Sequence, residues 1–114
     1  MPHIIVEYPA QWVNHSKVDA MLKTIHHAIA ESGLFKADQI RTRAYAFKNF
    51  TNAGGSEPFI HILARIKSGR DADNKKQLGE VILKGLSALN IPVSVITVEI
   101  IDMDRESYGK YVLG

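Results

Sequence analysis

The 114-residue chain contains no cysteine. That excludes a disulfide framework, a thiolate nucleophile and a cysteine-ligated zinc centre. No apolar run approaches the roughly 20 residues a membrane-spanning helix requires. The first residues, Met1-Pro2-His3-Ile4-Ile5-Val6-Glu7, lack a basic stretch leading into a long apolar one, so no export signal is expected. Charge of one sign is also scarce: 14 lysines and arginines face 12 acidic residues, a net of +2 that is too mild to signal nucleic acid. These absences predict one soluble, cytoplasmic domain over 1–114, partnered by neither nucleic acid nor membrane. A hydrophobic share of 46% against 23% charged residues predicts a packed core rather than disorder.

The distribution of charge says more than its sum. Arg41, Arg43, Lys48, Arg65, Lys67 and Arg70 make the middle of the chain basic, with Glu57 the only anion between Arg41 and Arg70. Glu99, Asp102, Asp104 and Glu106 then reverse the balance around Arg105. A basic stretch built largely from arginine suits small carboxylated or phosphorylated ligands, which a guanidinium fork grips at two points. A solvated sheet face with ordinary ion pairs would show the same counts.

Periodicity supplies the architecture. Pro2 to Tyr8 alternates as a strand, with Pro2, Ile4 and Val6 on one side. Val18, Met21/Leu22, Ile25 and Ala28/Ile29 mark a helix face, with Ser16 and Asp19 as its cap and Gly33 as its stop. Gln39 to Phe50 alternates again. The turn Asn52-Ala53-Gly54-Gly55-Ser56 leads to a third strand, Pro58 to Lys67. Asp71 or Asp73 caps a second helix with Leu78, Val81/Ile82 and Leu86/Leu89 on its inner face, ended by Asn90 and Pro92. Val93 to Ile101 is the fourth strand. The glycines Gly79 and Gly85 cost helix propensity, which predicts close packing of that helix on the sheet. The order is an α+β, βαββαβ fold. Each half is a βαβ unit with parallel strands, and both helices lie on one face of a four-stranded mixed sheet. Because the strands are apolar on both faces, the bare face predicts association with further copies of the chain.

Pro2 is the first candidate for chemistry. Methionine aminopeptidase removes Met1 before a small residue, which turns the Pro2 nitrogen from an amide into a free secondary amine. An ordinary α-amino group titrates near about 7.7–8.0. Burial beside arginines lowers that value and leaves a neutral base near neutral pH. Arg41 opens the second strand, parallel to the first and adjacent to it. Arg70 follows the third strand at the start of the second helix, where backbone N–H groups also favour anions. A basic nitrogen and two arginines can move a proton within a carboxylated enol, the arginines holding carboxylates and the developing enolate.

The segment Met1 to Tyr8 resembles the N-terminus of the tautomerase superfamily, in particular the 5-carboxymethyl-2-hydroxymuconate isomerase family. The resemblance continues through Gly33-Leu34-Phe35, Ile40-Arg41-Thr42-Arg43, Phe59-Ile60-His61-Ile62, Lys67-Ser68-Gly69-Arg70, Val98-Glu99-Ile100 and Ser107-Tyr108-Gly109-Lys110. It implies a trimer of βαββαβ subunits and a cofactor-free isomerase that turns an unsaturated 2-hydroxy di- or tricarboxylic acid into its 2-oxo isomer. Pro2 corresponds to the family's catalytic proline, and Arg41 and Arg70 to its substrate-binding arginines. Phenylpyruvate, oxalocrotonate or a halogenated acrylate are alternative substrates within the superfamily. A non-catalytic trimeric binding protein on the same fold is the alternative outside enzymology.

The other polar residues have plainer readings. His26 and His27 are helix neighbours about 100° apart and cannot chelate one metal together. No metal site is expected. His3 and His61 lie on strands that can bring them together, yet hydrogen-bonded structural roles fit them better. Arg43 shares a face with Arg41 and suits an interface ion pair, Tyr45 and Phe47 suit packing, and Trp12 suits an anchor at the first helix. Ser68-Gly69-Arg70 lacks the glycine spacing and lysine of a phosphate-binding loop.

Overall fold

The computed structural model describes residues 1–12 and 14–114. The order is β1 (His3–Pro9), α1 (His15–Ser32), a 3₁₀ turn at Ala37–Gln39, β2 (Arg41–Phe47), β3 (Phe59–Lys67), α2 (Ala72–Ser87) and β4 (Val95–Met103). The sheet runs β2-β1-β3-β4. β1 is parallel to β2 and antiparallel to β3, and β3 is parallel to β4. The expected βαββαβ arrangement and mixed sheet are therefore present.

The register decides which side chains meet. His3 lies beside Arg41 on one flank and Arg65 on the other, and Ile4 lies beside Thr42 and Ala64. With side chains alternating along each strand, Ile4, Val6, Ile60, Ile62, Ala64 and Ile66 turn to one face and are buried there. Met21, Ile25 and Ile29 of α1 and Leu78, Ile82 and Leu86 of α2 complete that core. Both helices thus cover the same face. The opposite face carries Ile5, Leu63 and Ile101 among Glu7, His61 and Glu99, and nothing in the chain's core covers it.

Local chemistry explains the element ends and corrects some of the expectations. The α1 cap is Asn14, not Ser16: its side-chain oxygen accepts from the Ser16 and Lys17 amides at 3.1 and 3.3 Å. The longer reach of the asparagine carbonyl serves two orphan donors at once. Gly33 takes the left-handed conformation (φ 76°) that stops α1. Asp71 caps α2 by accepting from the Asn74 amide at 2.8 Å. β4 starts two residues later than the alternation suggests, the Val93 amide turning back to the Ile91 carbonyl at 2.9 Å. Among the described residues no helix is long and apolar enough to cross a membrane.

Candidate functional site

At the end of the sheet where β1 starts, a cleft of about 660 Å³ opens between α1, the loop after it, the end of β3 and the tail after β4. Its polar wall carries Lys36, Lys67, Arg70 and Arg105, and no described residue that lines it bears a carboxylate. Leu34 and Phe35 provide the apolar side, and Met1 and Gln39 the end nearest the sheet. Four cations without a counter-charge favour an anionic occupant, and the apolar wall favours one with a carbon skeleton.

The chain start is held firmly at this place. The Pro2 carbonyl accepts from the Arg41 amide at 3.0 Å, which extends the β1–β2 ladder by one step. The Pro2 ring is fully buried. The Met1 ammonium donates to the Gln39 carbonyl at 2.7 Å, and the Met1 sulfur accepts from the Lys67 amide at 3.1 Å. The terminal amine titrates below its ordinary value: partial burial contributes most, followed by the positive charges of Arg41, Lys110 and Lys67.

The two expected arginines reach this region differently. Arg41 is exposed, and its guanidinium donates to the Gln39 carbonyl at 3.2 Å, the same oxygen that binds the terminal ammonium. Its charge bears on the amine, but its side chain does not line the cleft. Arg70 is a wall residue of the cleft, its guanidinium 4.1 Å from the centre of the Phe35 ring. Stacking on an aromatic face holds a guanidinium plane in place without using up its donors. The backbone N–H groups expected to reinforce Arg70 at the α2 N-terminus are already engaged in part by Asp71. Pro2, Arg41 and Arg70 thus share one corner of the molecule.

Residues that sequence reasoning passed over belong to the same corner. Lys67 lines the cleft and shares the alternation of His61, Leu63 and Arg65, a signal that was present in the strand pattern. Arg105 enters the wall from the tail, its Nε donating to the Ser68 carbonyl at 3.0 Å. Lys110 donates to the Gln39 side-chain oxygen at 2.9 Å. His3 Nδ1 accepts from Arg43 at 3.2 Å, and His3 Nε2 is 2.8 Å from the Tyr108 hydroxyl.

The remaining expectations resolve plainly. His3 and His61 do not meet, since His61 pairs in register with Glu7 and binds Thr97 at 2.6 Å and Glu99 at 2.9 Å. Arg43 bonds to His3 within the chain. Phe47 stacks on Phe59 at 4.9 Å, whereas Tyr45 is 58% exposed. Trp12 packs on the core ahead of α1. Among the described residues no three potential metal ligands cluster.

A family model described as 5-carboxymethyl-2-hydroxymuconate isomerase matches residues 2–102. No curated protein matches the chain. Among solved structures, a 5-carboxymethyl-2-hydroxymuconate isomerase from Deinococcus radiodurans R1 is similar at 23% identity, with 96% of this chain and 88% of that one covered and a TM-score of 0.76. A fused wild-type 4-OT asymmetric trimer is similar at 21% identity, covering 96% and 92%, with a TM-score of 0.83. Pt0534 inactivated by 2-oxo-3-pentynoate is similar at 18% identity, covering 96% and 92%, with a TM-score of 0.83. At these identities the structural likeness establishes the fold.

Proposed function

The chain belongs to the 5-carboxymethyl-2-hydroxymuconate isomerase family and is an isomerase of the tautomerase superfamily, and from that premise we propose that it is a cofactor-independent keto–enol tautomerase using Pro2 as its general base. The substrate is an unsaturated 2-hydroxy carboxylate such as 5-carboxymethyl-2-hydroxymuconate, a product of aromatic-acid breakdown. The observation that carries the proposal is the placement of the chain start at a cleft whose wall holds four cations and no described carboxylate.

With Met1 removed, the Pro2 nitrogen is a secondary amine at the head of β1, still tethered by the bond from its carbonyl to the Arg41 amide. The Met1 amine, one residue away, is held below its ordinary value by burial and by the charges of Arg41, Lys110 and Lys67, and we place the same influences on the freed Pro2 nitrogen. Near neutral pH a useful fraction is therefore the free base. It takes the 2-hydroxyl proton as the C–O bond becomes a carbonyl, and the displaced electron pair moves along the conjugated chain. The same proton, carried as the prolinium, is then delivered to a distant carbon, closing the cycle with no net change in the enzyme. Arg41 and Arg70 bind carboxylates and balance the negative charge of the dienolate.

The proposal includes one tautomerase-like domain over 1–114 that assembles as a homotrimer in the cytoplasm, with a small carboxylated substrate and neither nucleic acid nor membrane as partner. The test compares wild type with Pro2→Ala, each with Met1 removal verified by intact mass. Dienol isomerisation, followed by absorbance, should fall by at least about 100-fold in kcat/KM, the usual lower bound for losing a positioned general base. Undiminished turnover in Pro2→Ala overturns the mechanism.

A further inference from the structure

The tail after β4 is tied to the cleft by a set of side-chain contacts. It turns at Asp104, whose carboxylate accepts from the Glu106 amide at 3.3 Å. Arg105 is fixed to the Ser68 carbonyl, and Ser68 in turn donates its amide to the Met103 carbonyl at 2.9 Å. Tyr108 is pinned from two sides: its hydroxyl meets His3 Nε2, and the Lys67 ammonium sits 5.2 Å from its ring centre. His3 is itself oriented by Arg43. A guanidinium only donates, so His3 Nδ1 accepts and the neutral ring presents Nε2–H to the tyrosine oxygen. Two residues on, Lys110 reaches the Gln39 side chain beside the chain start. The tail thereby supplies Arg105 to the wall and holds Lys110 against Gln39, the lining residue at the end nearest β1.

We propose that Tyr108 is a positioning residue and Lys110 a specificity-determining residue: clamped by the Tyr108–His3 contact, the tail adds Lys110 and Arg105 to the cleft's cations so that substrates with several carboxylates are selected over those with one. A lone carboxylate is satisfied by Arg70 on its Phe35 platform, and further carboxylates need cations placed elsewhere on the rim. The inference rests on the isomerase reading for its substrate but concerns binding, so it is testable without catalysis.

The experiment measures binding of tricarballylate and of phenylacetate by titration calorimetry to wild type, Lys110→Met, Lys110→Arg and Tyr108→Phe. The last keeps the ring over Lys67 and removes only the hydroxyl. In wild type the tricarboxylate binds more tightly. Lys110→Met lowers its advantage over the monocarboxylate by about 2- to 5-fold, the scale of one partly exposed charge contact. Lys110→Arg restores the advantage, and Tyr108→Phe lowers it in the same direction with an unchanged melting temperature. Equal affinities in wild type, or a Lys110→Met variant that keeps the full preference, overturns the proposal. Loss of dienol turnover with an intact binding preference refutes the isomerase reading alone. Turnover supplies a second readout: the proposal expects KM to rise more in Lys110→Met for a tricarboxylated dienol than for a monocarboxylated one.

Discussion

His3 is a residue whose surroundings oppose its protonation. Burial contributes most to pushing its imidazole below the ordinary histidine range, with the charges of Arg43, the terminal amine, Arg41 and Arg65 acting in the same direction. Protonation also removes the acceptor that Arg43 uses. Between the depressed folded value and the ordinary one of about 6.5, the unfolded chain therefore binds more protons than the folded one. Stability should fall as the pH drops from about 6.5, and that part of the dependence should flatten in His3→Gln. The terminal amine is lowered too and acts with the same sign below its own ordinary value near 8, so the difference between wild type and His3→Gln is what reports the imidazole. Urea unfolding of both proteins between pH 8 and 5 checks this. Parallel slopes would mean that His3 is not held neutral.

At the scale of elements, the two glycines inside α2 make opposite predictions. A Cβ on Gly79 would lie 3.9 Å from Val98 Cγ1, an ordinary contact, so Gly79→Ala should gain about 0.5–1 kcal/mol from helix propensity. A Cβ on Gly85 would come within 3.1 Å of the Ala28 Cβ on α1, an atom fixed to a helix backbone. Gly85→Ala should therefore lose stability, since forcing the helices apart outweighs the propensity gain. The close packing expected from these glycines is thus divided: Gly79 faces the sheet and Gly85 faces α1. Urea midpoints decide the signs, and a stabilised Gly85→Ala would show that the helix pair gives way freely.

These same elements show what the residues disclosed in advance. Alternation in β1 and β3 and the three-to-four spacing in α1 and α2 were legible, because one buried face imposes its period on the sequence. Pro2, Arg41 and Arg70 were legible as candidates from the family resemblance and their places at the head of β1, the head of β2 and just past β3; the Pro2–Arg41 backbone bond then joins the first two, and Arg70 lines the cleft that Met1 also lines. The choice of Asn14 over Ser16 as the cap was not legible, since both residue types serve and only the backbone path selects between them. Arg105 and Lys110 were hidden for a related reason. They lie on a tail without periodicity, and their roles come from single hydrogen bonds to Ser68 and Gln39, far away in the chain.

On the scale of the whole molecule, the face without helices carries the remaining argument. Ile5 lies beside Leu63 across β1 and β3, and Ile101 of β4 lies beside Arg65, one step diagonally from Leu63; all three are outside the core, with Glu7, His61 and Glu99 on the same face. Val95 on the same face is 44% exposed. Leaving such side chains in water forgoes up to about 1.5–3 kcal/mol each, which association of subunits recovers. If the proposed homotrimer packs through this face, Leu63→Lys should place an ammonium in its centre and dissociate it. Light scattering should then report the mass of one chain in place of three, with circular dichroism unchanged, because Leu63 contributes nothing to the helix-covered core. A variant that remains trimeric would place the subunit contacts elsewhere. Turnover of a cleanly monomeric variant has a further meaning: any loss beyond that of binding measures what a neighbouring subunit adds to the site.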